Sequence, residues 1–173
     1  HVGIFKKLIN SANLKKEDEK NIKELIKSKS SSEIKKYMNT LHVDNNLKNC
    51  ICDFPKMHGT IKNILRDSNN IISFDPAIED DIKYMVGLCN LINKNHSDVE
   101  IKYDFCELPG FDYETGILMS VYIENDSNEV AIGGKYNFDE GSPSGIGFSV
   151  DVRYLIKNQN KSSISFKSGK WIL

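Results

Sequence analysis

The chain has 173 residues, a formal net charge of −1 and 39% hydrophobic residues, which is enough for one hydrophobic core of ordinary size. No apolar run reaches the roughly 18 residues needed to cross a bilayer, and no signal peptide is recognisable, so we expect a cytoplasmic protein without a membrane partner. Residues 1–70 carry 14 Lys and Arg against 8 Asp and Glu, whereas residues 71–173 carry 9 against 16. The lysines are spread over helical faces, so we interpret them as solvated surface and expect no nucleic-acid partner.

The cysteines give no sign of a metal site or a disulfide framework. They are Cys50, Cys52, Cys89 and Cys106. Only the first two are close together, and no second pair or histidine stands at ligand spacing. We therefore expect ordinary reduced thiols and predict no metal ion.

Three short amphipathic helices are predicted in the first third of the chain from apolar residues that recur at helical spacing. Their apolar faces are Phe5, Leu8 and Ile9, then Ile22, Leu25 and Ile26, then Ile34, Tyr37, Met38 and Leu41. Ser30 followed by Glu33 predicts a capping box at the start of the third helix. A longer helix is predicted after Asp75, with that residue as the cap and Pro76 in the first helical position. Its apolar stripe comprises Ile78, Ile82, Met85, Cys89 and Ile92.

The second part of the chain alternates apolar and polar residues, which indicates strands. Val99 to Phe105 is the first such stretch, and GFDYETG (110–116) interrupts the pattern. ILMSVYIE, the turn NDSN and EVAIGGKYN then predict an antiparallel meander, and GFSVDVRYL predicts a further buried strand or helix. Helices followed by strands favour an α+β fold over alternating βαβ units. We expect one partial domain over 1–173, mainly helical over 1–95 and an antiparallel sheet over 96–173.

The glycines around GGKYN and GSPSGIGF are typical of turns, bulges and tight strand crossings. A nucleotide site is not indicated, because the spacing GxGxxG is absent and no GK[ST] follows a glycine loop. We therefore predict no cofactor.

Four stretches together carry a family resemblance: HVGIFKKLINSANL, YDFCELPGFDYETGILMSVYI, AIGGKYN and SGIGFSVDVRYL. They are similar to the histidyl-tRNA synthetase catalytic core, which has a class II synthetase fold, and closer to its paralogue family, the regulatory subunits of ATP phosphoribosyltransferase. The resemblance runs to about Ile156. It implies the C-terminal half of a class II core with an antiparallel sheet flanked by helices, since motifs one and two have no counterpart.

The departures from the synthetase pattern favour the regulatory family. The synthetase motif resembles RGLDYYTG, and Pro109 stands at its arginine; motif three resembles GFAIGLERL, and Tyr154 stands at its last arginine. Asp151 stands where that motif has glycine, and Arg153 where it has glutamate. Arginines stabilise the charge that develops on ATP during amino-acid activation. The resemblance therefore implies a protein without catalytic residues of its own.

By resemblance, a histidine site is implied near GFDYETG and GGKYN. Its residues would be Asp112, Tyr113, Glu114, Gly116 and Tyr136. The implied partner is a short-form ATP phosphoribosyltransferase catalytic subunit, in a hetero-oligomer that works at the first step of histidine biosynthesis, and the full-length protein is also expected to associate with copies of itself. Two alternatives stay open: a fragment of a histidyl-tRNA synthetase, and a stand-alone histidine-binding protein with a synthetase-like fold.

Overall fold

The computed structural model describes residues 1–108, 114–124, 126–137 and 143–158. Its helices are α1 Val2–Asn10, α2 Lys16–Lys27, α3 Ser31–Met38, α4 Asn45–Asp53, α5 Ile64–Asp67, α6 Asn69–Phe74, α7 Ile78–Asn95 and α8 Val152–Asn158. Its strands are β1 His58–Thr60, β2 Lys102–Asp104, β3 Glu114–Tyr122, β4 Glu129–Tyr136 and β5 Gly145–Val150. Short 3₁₀ turns cover Phe54–Lys56 and Ile61–Asn63. The α+β prediction is confirmed.

Helices α1 to α3 coincide with the three predicted in the first third, and most of the apolar faces are buried. Leu25, Tyr37 and Leu41 are only partly buried, at the edge of the core. The predicted capping box is wrong, because the hydrogen bond from the backbone to the Ser30 side chain is not formed. Ser30 is the N-cap residue of α3, but its side chain makes no capping bond, and its hydroxyl lies 3.4 Å from that of Ser32. Nearby serines offer a competing partner for the hydroxyl.

Helix α7 is the predicted long helix, but it begins at Ile78, after Pro76 rather than at it. Asp75 still caps the entry, because its carboxylate accepts a hydrogen bond from the backbone N–H of Ala77 at 2.9 Å. The apolar stripe is buried through Cys89 and half-buried at Ile92. Neither this helix nor any other within the described ranges is long and apolar enough to span a bilayer.

The strand predicted from Val99 to Phe105 is shorter in the structure. Only Lys102–Asp104 forms β2, and Val99 is 47% exposed. The partner of β2 is β1, a three-residue strand that the sequence patterns did not indicate, paired antiparallel with Gly59 opposite Tyr103. A strand extends only as far as its partner supplies backbone hydrogen bonds, and this partner is short.

One hydrophobic core joins the helices to this two-stranded sheet. The Phe54 and Phe105 rings lie 6.1 Å apart and the Tyr103 and Phe105 rings 5.4 Å apart. The buried Tyr103 donates its hydroxyl to Asp67 at 2.5 Å. Burial, followed by the hydrogen bond to Asp67, raises the pKa of Tyr103 well above its usual value, so this phenol stays protonated and remains a donor.

The second sheet is the meander predicted for the end of the chain. Its strand order is β3-β4-β5, and both pairings are antiparallel. The β3–β4 pairing is irregular between Glu114 and Leu118, where β3 carries extra residues. Among the described residues of this sheet, Ile117 packs against the edge of the helical core. Most of the β3–β4–β5 sheet therefore extends beyond the core that the helices form.

Candidate functional site

Cross-strand register sorts the side chains of the β3–β4–β5 sheet onto two faces, since paired residues point the same way. Tyr136 pairs with Gly145, Gly134 pairs with Gly147, and Ile132 pairs with Ser149. We call the face formed by these residues the tyrosine face; on β3, Leu118 and Ser120 pair into it. Apart from Tyr136, Leu118 and Ile132 it is made of glycine and serine. It therefore presents mainly backbone and small polar groups around one phenol.

The Tyr136 ring lies along strand β5, in space that two glycines leave open. A Cβ atom at Gly145 would lie 2.6 Å from the Tyr136 Cζ atom, and one at Gly147 would lie 3.3 Å from its Cε1 atom. Any side chain at Gly145 would displace the ring. The close contact agrees with the prediction that the glycines mark tight strand crossings. The half-buried Tyr136 ring packs directly on the backbone of β5.

The structure describes part of the predicted histidine site. Asp112 and Tyr113 lie outside the described residues. The backbone of Glu114 opens β3 directly opposite Tyr136, so these two positions are brought together. Gly116 lies on the other face of the sheet, because a Cβ atom there would be 2.9 Å from the Cβ of Lys135.

Two buried polar atoms flank the Glu114–Tyr136 pair, and the sequence patterns did not single them out. The Thr115 hydroxyl and the Asn137 side-chain carbonyl are inaccessible to solvent and have no hydrogen-bond partner among the residues that the structure describes. Buried polar groups in folded proteins are nearly always satisfied, because each unmet bond is costly. The ETG and YN stretches thus carry hydrogen-bonding capacity that the described chain leaves unused.

Tyr154, which the motif resemblance matches to the last arginine of the synthetase pattern, is hydrogen-bonded in the structure. Its hydroxyl donates to the Asp126 carboxylate in the β3–β4 turn, and its backbone N–H donates to Asp151 at 2.9 Å. Asp126 also accepts from the backbone N–H of Asn128 at 2.9 Å. Tyr154 therefore ties α8 to the β3–β4 turn. No motif pointed to Asp126; only its position in a polar turn could have suggested it.

These features identify the class of fold to which the chain belongs. Helices packed around one core, followed by a glycine-rich antiparallel meander, give an α+β fold that also occurs in a solved protein from Bacillus halodurans C. That protein is described as an ATP phosphoribosyltransferase regulatory subunit/histidyl-tRNA synthetase, and the two folds agree with a TM-score of 0.73 at 17% identity. The match covers 91% of this chain and 42% of that one. The family model for histidyl-tRNA synthetase matches residues 1–155, and the chain belongs to that family.

Sequence relatives show which members of this family the chain resembles. A protein from Hahella chejuensis is 29% identical over 162 residues, which cover 91% of this chain and 40% of that protein. One from Teredinibacter turnerae is 25% identical over 166 residues, which cover 92% of this chain and 42% of that protein. Both are named ATP phosphoribosyltransferase regulatory subunits, so the resemblance drawn from the motifs is confirmed. The chain spans about two-fifths of the length of these relatives.

Proposed function

We propose that this chain is part of a regulatory subunit of ATP phosphoribosyltransferase that is needed for transferase activity and for histidine feedback. The observation that carries the proposal is similarity over nine-tenths of the chain to relatives of that name. The structure adds a chemical reason, because Tyr154 is hydrogen-bonded to Asp126 where a synthetase would present an arginine. In this proposal the phosphoribosyl transfer itself takes place on a separate short-form catalytic subunit in a hetero-oligomer.

Activation of that catalytic subunit tests the proposal. The full-length protein, mixed with a short-form ATP phosphoribosyltransferase, is expected to raise phosphoribosyl-ATP formation at least about tenfold, which corresponds to about 1.4 kcal/mol of barrier. The two proteins are also expected to elute together from a sizing column. The catalytic subunit alone and the regulatory protein alone are the controls. Unchanged activity together with separate elution would remove the proposal.

Histidine is the ligand proposed for the end of the sheet where Glu114 meets Tyr136. We infer that Glu114 or Asp112 faces a cationic nitrogen of histidine and that Tyr113 or Tyr136 bounds its ring. Two observations support this placement: the Tyr136 ring lies over the bare backbone of Gly145 and Gly147, and the positions next to Glu114 and Tyr136 in sequence, Thr115 and Asn137, carry buried polar atoms without a partner in the described part of the chain. The arrangement matches what recognition of a small polar ligand needs.

Loss of the Glu114 carboxylate should weaken histidine binding. A hydrogen bond to a charged group contributes about 1.5–3 kcal/mol, so Glu114→Ala is expected to raise the Kd for histidine roughly 10- to 100-fold. Calorimetric titration of the full-length protein measures this. Glu124→Ala is the matched control, since Glu124 is an exposed glutamate just past the other end of β3. Equal affinity of the two variants would place the site elsewhere.

A further inference from the structure

Helix α7 carries a second stripe of residues on the side that faces away from the core. Tyr84 and Leu91 are 55% and 58% exposed and stand seven residues apart, about two turns along the helix. Gly87 lies between them and is also exposed. With the exposed charges Asp80 and Lys94 added, the spacing alternates between four and three residues, which is typical of the contact line between two paired helices. We call these five residues the outer seam.

The two charges at the ends of the outer seam are not neutralised within the described part of the chain. The neighbouring acids are each held by a lysine: Glu79 by Lys83 at 3.0 Å and Asp81 by Lys7 at 2.9 Å. Asp80 and Lys94 have no ion-pair partner among the residues that the structure describes. Each lies seven residues from Gly87, so the two charges are roughly 21 Å apart along the helix. The outer seam therefore carries opposite charges at equal distances from a residue without a side chain.

This arrangement is complementary to itself when two copies of α7 run antiparallel. A two-fold axis at Gly87 places Asp80 of each copy opposite Lys94 of the other, so one contact forms two attractive pairs. The same axis brings Tyr84 to the level of Leu91 of the second copy, where an aromatic ring and an aliphatic side chain cover each other. At the axis two glycines meet, and no side chain keeps the helices apart. A parallel pair would instead set Asp80 against Asp80 and Lys94 against Lys94.

We propose that the outer seam of α7 is a self-association surface, on which a second copy of the chain docks antiparallel with Gly87 at the two-fold axis. A different protein would need no symmetry of charge about the glycine, whereas a second copy gains two ion pairs from it. The contact is expected to be weak by itself, because exposed ion pairs contribute little and the seam is narrow. It depends neither on histidine binding nor on the proposed regulation of the transferase.

A cysteine at the axis detects this contact in the full-length protein, whatever other contacts that protein makes. Packed helices lie about 8–10 Å apart from axis to axis, which leaves roughly 5 Å between the two Cα atoms at position 87 and suits a disulfide. Under mild oxidation, Gly87→Cys is expected to form a covalent dimer at least about tenfold faster than Asn93→Cys, because the contact raises the effective concentration of the two thiols.

Asn93→Cys is the matched control for this cross-link. Asn93 is exposed on the same helix but lies roughly 120° around the helix axis from Gly87, so its copies do not meet in the proposed contact. The unsubstituted protein reports the background that comes from the native cysteines.

Charge reversal tests the antiparallel pairing. In the Gly87→Cys protein, Asp80→Lys brings two pairs of like charges together, and we expect the cross-linking rate to fall roughly tenfold or more. Adding Lys94→Asp to the same chain forms two opposite-charge pairs again, in reversed order, and is expected to restore the rate. Circular dichroism checks that each variant keeps the helical content of its parent.

Two results would overturn the proposal. Cross-linking of Gly87→Cys no faster than that of Asn93→Cys would show that the outer seam does not meet its own copy, as when another protein or more of the same polypeptide covers it. A rate that Asp80→Lys leaves unchanged, or that Lys94→Asp does not restore, would exclude the antiparallel pairing about Gly87.

Discussion

Histidine-dependent pyrophosphate exchange by the full-length protein is expected to be at least about 1000-fold slower than by an authentic histidyl-tRNA synthetase. Loss of one group that stabilises transition-state charge typically lowers the rate about 100- to 1000-fold. By resemblance, Pro109 and Tyr154 stand where the synthetase motifs have two arginines. Pro109 has no side-chain donor, and a tyrosine offers one hydroxyl where arginine offers a fork of five N–H donors.

The structure strengthens this expectation for one of the two positions. The Tyr154 hydroxyl is already donated to Asp126, and the Asp151 carboxylate accepts from the backbone at the start of α8. The negative charge of Asp151 would also oppose a triphosphate nearby. Exchange is measured with labelled pyrophosphate, and a histidyl-tRNA synthetase assayed in parallel is the positive control. A rate comparable to that control would favour the synthetase alternative.

Replacing Gly133 by alanine is expected to destabilise the protein by roughly 3 kcal/mol or more, the range of severe overpacking. The added Cβ would lie 2.2 Å from the carbonyl oxygen of Gly147 and 2.4 Å from the Phe148 Cδ1 atom. The first of these is backbone, which cannot rotate away as a side chain can, so β4 and β5 must separate. Their shared hydrogen bonds would weaken with the separation.

Gly87→Ala provides a matched control, for which we expect a change in stability of the opposite sign. Gly87 lies within α7, and a Cβ there meets nothing within 4 Å, so alanine is expected to stabilise by up to about 1 kcal/mol through its helix propensity. Urea unfolding followed by circular dichroism measures both changes. Hydrogen exchange at the β4 and β5 amides detects any opening confined to the sheet. Unaltered stability and exchange in Gly133→Ala would show that the strands are not as close as described.

Helices are where the sequence alone was most informative. The spacing of apolar residues predicted α1, α2, α3 and α7, because a helix of 3.6 residues per turn must bring those positions to one side. The apolar sides are buried as expected. Where Ser30 directs its hydroxyl could not be predicted, since several oxygens within reach compete for that one proton.

Strand pairing depended on contacts that local patterns do not contain. The β3–β4 hairpin was predictable because its two strands are adjacent in sequence around a polar turn. The β1–β2 pair joins residues 58–60 to 102–104, and neither the existence of β1 nor the shortness of β2 follows from either segment alone. Alternation predicts that a segment can pair, while the partner determines over how many residues it does so.

The candidate site likewise has features that the sequence predicted and features that only the tertiary structure revealed. The resemblance implied a histidine site that includes Glu114 and Tyr136, and the strand register brings these two backbone positions opposite each other. That Gly116 lies on the other face, and that Tyr154 is held by Asp126, required the tertiary structure. An extra residue in a strand moves the side chains that follow it to the opposite side of the sheet. A residue in a distant turn, here Asp126, 28 residues before Tyr154, can accept a hydrogen bond that no motif reveals. Sequence therefore determined the family and the residue types, and three-dimensional packing decided which of those residues face one another.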